Sequence, residues 1–300
     1  MKTIVVLSGK GGTGKTTITA ALVHLASQDP ATRPILVDAD VDAANLELLL
    51  DAQMIETQEF VGGQLASISA EKCAGCGRCE AVCRFDAIQV NNGDYTVNPA
   101  TCEGCATCQT QCPNEAVTMV PRISGQWFRS GSHYGPLLHA RLSPAQENSG
   151  KLVTLLRQHA RVQALDEGYP LVIVDGPPGI GCPAIAAVTG ADLALIVTEP
   201  TAAGIHDMQR VLNLAAHFGI PTLVCINKAD LYLAGTKLIQ GYCEQRGLPV
   251  VGQVPYDLSM AEAMVQGQTI TAYRPEGPVS QALRNMWHAI LAHVFVDEIA

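Results

Sequence analysis

Six short apolar runs punctuate the chain. They read TIVVLSGKGG from Thr3, PILVDAD from Pro34, LVIVDGPPG from Leu171, LALIVTEP from Leu193, TLVCINKAD from Thr222 and PVVGQVPYD from Pro249. Runs this short, dense in β-branched and aliphatic residues, are what a strand buried on both faces requires. Helical spacing of apolar residues alternates with them, over Lys15–Ser27, about Ser149–Glu167, Ile205–Phe218 and Thr236–Arg246. The alternation predicts an α/β fold with a doubly wound, mostly parallel sheet and right-handed crossovers, and places ligands at the carboxyl ends of the strands. A last helical pattern, SQALRNMWHAILAHVFVDEIA from Ser280, ends acidic rather than polybasic, so it is expected as a core helix and not a membrane anchor.

The pattern breaks between about Gly62 and Pro121, where an internal repeat takes over. Cys73, Cys76, Cys79 and Cys83 recur 29 residues later as Cys102, Cys105, Cys108 and Cys112, and CRFDAIQV is answered by CPNEAVTM. Two copies of loop, short helix and strand make a small α+β domain. The expected organisation is a discontinuous main domain, 1–62 and 121–300, with an insert at 63–120.

Composition narrows this picture. Hydrophobic residues make up 48% of 300, enough for a sizeable core, while aromatics are only 5%, which suits close helix–sheet packing. A net charge of −9 argues against general nucleic-acid binding. No apolar stretch reaches the ~20 residues needed to span a membrane. The start, MKTIVVLSGK, leads straight into a glycine loop and reads as a first strand rather than an export signal. Eleven cysteines without such a signal point to metal rather than disulfides.

The segment GKGGTGKTT, Gly9–Thr17, lies between a strand and a helix, the setting a P-loop needs. Glycines at 9, 11, 12 and 14 let backbone N–H groups, including that of Thr13, turn around phosphate oxygens, and the helix dipole adds to them. Lys15 is expected at the β- and γ-phosphates, Thr16 on Mg²⁺, with Thr17 beside it. Asp38, Asp40 and Asp42 follow the second strand. Asp38 and Asp42 have two readings, contact with Mg²⁺ or its waters, and helix capping ahead of AANLELLL. Asp175 ends the LVIVD strand as a Walker-B carboxylate would, and the glycines of GPPGIG after it permit movement.

The cysteine spacing C-x₂-C-x₂-C-x₃-C resembles that of bacterial two-cluster ferredoxins. That resemblance implies one 4Fe–4S cluster on Cys73, Cys76, Cys79 and Cys112, and a second on Cys83, Cys102, Cys105 and Cys108. Pro113 follows Cys112 as the pattern expects, whereas Arg84 follows Cys83. The competing reading, two Cys₄ zinc sites, ordinarily uses CxxC pairs a dozen or more residues apart. Cys225 and Cys243 read as core residues.

The second lysine of the loop, Lys10, with VDADVDAANL, the cysteine repeat, YGPLLHARLSPAQENSGKLV and DGPPGIGCP in that order, resembles the MinD/Mrp superfamily of P-loop ATPases with an inserted ferredoxin domain. The resemblance covers nearly the whole chain. It implies ATP and Mg²⁺ as ligands, two 4Fe–4S clusters, a cytoplasmic location, and a dimer, with itself or with a paralogue. Lys10 would then reach the partner's nucleotide, as an arginine finger does. Asp40 would orient the attacking water. NKAD, Asn227–Asp230, is a weak sign of guanine by likeness to GTPases, but in the MinD-like class the Asn contacts adenine, with Pro255 near the ring. Cys182 matches a cluster-ligating cysteine of the nitrogenase iron protein, yet the second cysteine that site needs is missing between Cys112 and Asp175, so an interface thiol is the plainer reading. His133, His139 and the block running to Lys151 have no assigned chemistry.

Three functions compete. The first is an ATPase whose dimer switching gates electron transfer through two clusters to an unidentified redox or iron–sulphur acceptor. The second is an iron–sulphur carrier or scaffold, although no CxxC follows Cys112. The third is a MinD/ParA-like positioning ATPase with a redox sensor, for which neither a DNA-binding nor a membrane-binding surface is evident.

Overall fold

The computed structural model describes residues 1–143 and 148–295. The chain opens with β1 (Lys2–Ser8), α1 (Lys15–Ser27), β2 (Pro34–Asp38), α2 (Leu46–Leu49) and β3 (Gln53–Ile68). The cysteine segment follows, with α3 (Arg78–Ala81), β4 (Ile88–Asn91), β5 (Asp94–Val97) and α4 (Thr107–Thr110). The chain returns through β6 (Val117–Ser132) and β7 (Gly135–Leu142) to α5 (Ser149–Glu167), β8 (Leu171–Pro178), α6 (Cys182–Val188), β9 (Leu193–Thr198) and α7 (Ala202–His217). It ends with β10 (Thr222–Asn227), α8 (Leu233–Glu244), β11 (Val250–Val254), α9 (Ser259–Val265), α10 (Ile270–Tyr273) and α11 (Pro278–Val294).

Strand order in the large sheet is β11-β10-β9-β1-β8-β2-β7-β6-β3. The pairs from β11 through β7 are parallel. All six apolar runs are strands of this parallel part, and the final helical pattern is α11, whose Leu283, Met286, Trp287 and Ile290 are buried. Side chains alternate between two buried faces. Ile4, Val6, Leu36, Ile173 and Leu195 join a core with α1 and α11. Val5, Leu7, Ile35, Val37 and Val174 between them are equally buried, and α5, α6 and α7 pack on β2, β8 and β9. Helices on both faces leave the carboxyl ends of the strands as the open rim, with β1 at the centre.

The chain divides into two compact units. One comprises Met1–Gln58, Trp127–Arg141 and the described residues of Ser149–Ala300; the other comprises Glu59–Gln126 and the described residues of Leu142–Asn148. The second unit has its own small core of Ala66, Cys79, Ala87, Ile88, Cys102, Cys108 and Val117. Its internal repeat extends to the backbone. Gly75 and Gly104 both have φ of 66°, Gly77 and Ala106 have 72° and 61°, and Asp86 and Glu115 have 49° and 50°. Helices α3 and α4 begin at equivalent positions, and so do β4 and β6. Between the two copies, β4 and β5 form an antiparallel hairpin that turns on Asn92–Gly93, both at positive φ, the usual chemistry of a tight hairpin.

Candidate functional site

Strand β1 is central and fully buried, so the loop after it emerges at the middle of the rim. A cleft there encloses about 1480 Å³ of space, counted to its open mouth. The loop from Lys10 to Thr17 forms one wall, Asp40, Asp42 and Asn45 another, and Pro177 and Pro178 a third. Gly14 caps α1 at φ 87°, a conformation that only glycine adopts without strain, and a Cβ there would also strike Asn227 Nδ2. Gly9 does not line the cleft. It is needed because a Cβ would collide with the backbone and Cβ of Asp207 on α7.

Lys15 and Asp175 form the buried centre. Lys15 Nζ lies 2.9 Å from Asp175 Oδ1, with side chains 6% and 0% exposed. Thr16 Oγ1 donates to Asp175 Oδ2 at 2.7 Å, and Thr19 Oγ1 donates to Oδ1 at 2.8 Å. Both carboxylate oxygens of Asp175 are therefore engaged by α1. Thr19 was not singled out by the P-loop pattern. It lies one turn after Lys15 on the same face, which is the signal that could have found it.

Asp38 is held differently. Its Oδ1 accepts the Asp40 N–H at 3.1 Å, and its Oδ2 accepts those of Asn45 and Leu46 at 3.1 and 3.0 Å. Asp38 thus satisfies the first-turn amides of α2, and Asp42, exposed on the cleft wall, does not cap that helix. Burial first, and then the charge of Asp175, raise the Asp38 carboxyl to about 7 against the pull of its backbone donors and Lys15. Asp40, half-buried, is also raised, again chiefly by burial.

Lys10 pairs with Glu199 at the end of β9. Lys228 Nζ sits 3.2 Å from the other oxygen of Glu199 and donates to Gly12 O at 3.1 Å. Burial opposes ionisation of Glu199, but hydrogen bonds from Lys10 and Lys228 outweigh it and hold the carboxyl below its usual range. Nothing local in the sequence announces Glu199; only the fold brings it to Lys10. Asn227, buried at the end of β10, donates through Nδ2 to Thr13 O at 2.7 Å and accepts Lys228 N–H on Oδ1 at 3.0 Å. Its amide is thus committed to the phosphate loop, and it does not line the cleft. Pro255 follows β11, where Asp230 Oδ1 accepts the N–H of Tyr256 at 2.7 Å.

In the second unit the cysteines of each copy face those of the other. One hollow is lined by Cys73, Cys76, Cys79 and Cys112, and another by Cys83, Cys102, Cys105 and Cys108. They enclose about 340 and 350 Å³ of space, counted to their mouths. Backbone amides point at sulphur in equivalent places, Ala87 N–H to Cys83 Sγ at 3.4 Å and Ala116 N–H to Cys112 Sγ at 3.3 Å. Among the described residues, no group of three or more His, Cys, Asp or Glu is arranged to hold a single metal ion. Cys182, exposed at the first position of α6, lines a separate groove with Lys151, Arg157 and Arg161. Cys225 is fully buried, and burial pushes its thiol up to about 12.

Comparison with known proteins shows the family and the fold. The family described as the CobQ/CobB/MinD/ParA nucleotide binding domain matches residues 4–270. An uncharacterised protein of Methanocaldococcus jannaschii is 35% identical over 228 residues, covering 76% of this chain and 78% of its own. The septum site-determining protein MinD of Pyrococcus horikoshii, complexed with Mg-ADP, superposes with a TM-score of 0.57 at 19% identity, covering 96% of this chain and 95% of that one. MinD in the MinC:MinD complex of Aquifex aeolicus gives 0.59 at 19%, with 97% and 96% covered. At such identity these structures speak for the fold alone. No helix among the described residues is long and apolar enough to cross a membrane.

Proposed function

The chain belongs to the CobQ/CobB/MinD/ParA family of nucleotide-binding domains, and from that premise we propose an ATP-hydrolysing protein whose nucleotide state gates electron transfer through two 4Fe–4S clusters. The observation that carries the redox half is the pair of hollows, each lined by three cysteines of one repeat and the fourth of the other. A four-iron cluster is held around its edges, so its thiolates surround a space instead of converging on one ion. The amides aimed at Cys83 and Cys112 suit thiolates bound to such a cluster. The clusters would supply one-electron carriers.

In the nucleotide half, the amides of Lys10–Thr17 cradle the phosphates and Lys15 balances their charge. Thr16, Asp38 and Asp175 supply the oxygens for Mg²⁺. Asp40, at the cleft wall, is suited to orient the attacking water. Lys10 is the group for a partner's nucleotide in a dimer of two copies or with a paralogue, and to serve there it must leave Glu199. Asn227 supports the phosphate loop, leaving base recognition to the Pro255 segment.

Allosteric coupling of about 1–3 kcal/mol is typical, which for one electron is roughly 40–130 mV. That is enough to redirect electrons and too little to create a very strong reductant. The test is a potentiometric titration of anaerobically purified protein, read by EPR, without nucleotide, with MgADP and with a non-hydrolysable MgATP analogue. Two 4Fe–4S signals that shift by tens of millivolts support the reading. Unmoved potentials favour cluster delivery to an apo-acceptor, and absence of iron removes the redox half.

A further inference from the structure

Helix α2 is a single turn and cannot hold itself in place. Yet its first amides set both the reach and the orientation of Asp38, since Asn45 and Leu46 donate to the same carboxylate oxygen. Leu46, Leu49 and Leu50 are buried and give the turn a footing, whereas Leu48 is exposed at the cleft. The remaining anchor is polar. Glu47, next to Leu46, pairs with Arg141 of β7. The buried His139, two residues away on the same strand, brings Nδ1 to 3.2 Å from Glu47 Oε2.

His139 is itself tightly placed. It is 3% exposed, its Nε2 is 2.9 Å from the buried Ser130 Oγ on β6, and its ring stacks on Phe128 with centroids 5.0 Å apart at 28°. Burial lowers the imidazole's affinity for a proton, against the pull of Glu47 and with the help of Arg141. A neutral ring with the Ser130 hydroxyl donating to Nε2 turns an Nδ1 proton toward Glu47; that tautomer is assigned from the partners. Nδ1 makes no hydrogen bond of normal geometry, so its 3.2 Å approach to Glu47 Oε2 is an electrostatic contact that a small movement of Glu47 would make into a bond or lose. Ser130 belongs to the strand by which the chain returns from the cysteine segment.

We infer that His139 is a positioning residue for Mg–nucleotide binding: through Glu47 it fixes the start of α2, and through α2 it fixes the carboxylate of Asp38. The inference rests on the reading of Asp38 as an oxygen ligand for Mg²⁺. Groups bonded directly to a metal ligand typically contribute about 10–100-fold to metal affinity; His139 acts two links further out, through Glu47 and α2, so its effect falls below that range, at a few-fold.

The test measures binding of a fluorescent N-methylanthraniloyl-ADP to the full chain, with saturating Mg²⁺ and with EDTA. Wild type, H139A, E47A, E47Q and the double variant E47A/H139A are compared, with a melting midpoint for each. The expected result is that H139A weakens binding about 3- to 10-fold with Mg²⁺ and leaves Mg-free binding unchanged. The double variant should be no worse than E47A, and E47Q, which keeps an acceptor for Nδ1–H, should recover much of the loss. A residue that only stabilises the fold would lower the melting midpoint without changing the ratio of the two affinities. An unchanged ratio in folded H139A overturns the inference. Should H139A not fold, E47Q against E47A decides by the same ratio. Wild-type binding that is indifferent to Mg²⁺ would instead sink the reading of Asp38 itself.

Discussion

Asp38 and Asp175 are register partners at the carboxyl ends of β2 and β8, and neither side chain reaches solvent. Two carboxylates so placed cannot both ionise cheaply. The structure resolves the conflict unequally. Asp175 takes the ammonium of Lys15 and the hydroxyls of Thr16 and Thr19, while Asp38 has only backbone amides. Burial and the charge of Asp175 therefore hold the Asp38 carboxyl up near 7.

A pH dependence follows. Asp38 in the fold titrates near 7, above its ordinary 3.8. The folded state holds the proton more tightly than the unfolded chain, so this group's contribution to stability is fully present below about pH 4 and is lost as pH rises through 7. D38N removes the titration. Its melting midpoint relative to wild type, both without nucleotide, should climb between pH 5 and 8 and then level off, at roughly 2–4 °C per kcal/mol for a chain of this size. A gap that stays constant across that range would contradict the assignment. Mg²⁺ arriving with nucleotide should also displace the proton, visible at pH 6.5 as buffer-dependent heat in calorimetry.

Asn227 yields a second prediction. Its amide satisfies the Thr13 carbonyl from inside the protein, and removing one partner of a buried hydrogen bond costs about 1–3 kcal/mol. N227A should therefore weaken ATP and GTP binding by similar factors, roughly 5- to 150-fold if all of that cost falls on the bound state. A residue that reads adenine would alter the ratio of the two affinities instead. Competition of ATP and GTP for the same fluorescent nucleotide on both proteins gives that ratio directly.

The repeat supplies a third. Ala106 occupies, at φ 61°, the place that Gly77 occupies at 72° in the first copy. The left-handed region costs a residue with a Cβ about 1–2 kcal/mol, and glycine returns part of that through the freedom of the unfolded chain. A106G should stabilise the second unit by up to about 1 kcal/mol, seen as a higher denaturant midpoint by far-UV circular dichroism. The reciprocal G77A should destabilise it by a similar amount.

Much of the main unit was legible because its signals are local. A strand buried on both faces must be a short apolar run, and a phosphate loop must place glycines between a strand and a helix. Strands β3 and β7, and all of β6 beyond its start in the repeat, were not legible. Gln53–Ile68 is an edge strand with most positions exposed or half-exposed, so it carries no apolar run to read. Most of the charge partners were hidden for another reason. Glu199, Thr13 and His139 meet Lys10, Asn227 and Glu47 only after the chain has crossed the sheet, and no spacing in the sequence encodes such meetings. Asp42 shows the limit of local reading: it stands where a helix cap should, but a carboxylate from the neighbouring strand end already holds those amides.

The cysteine segment permits a sharper test than metal content alone, because each hollow gathers a particular set of four cysteines. Cys112 is in the second repeat but lines the hollow of Cys73, Cys76 and Cys79, while Cys83 of the first repeat lines the other. Protein purified without oxygen should carry about eight irons and eight acid-labile sulphides, the content of two 4Fe–4S clusters. C112S and C73S should each lose the same cluster, and the double variant C73S/C112S should lose no more than either alone. C83S should take the other cluster, leaving the signal that C112S removes. Pairing within each repeat would invert the pattern, so that C112S and C105S remove the same signal. Two zinc sites would show no iron in any variant and no EPR signal on reduction. Iron analysis with EPR of the reduced proteins separates all three arrangements.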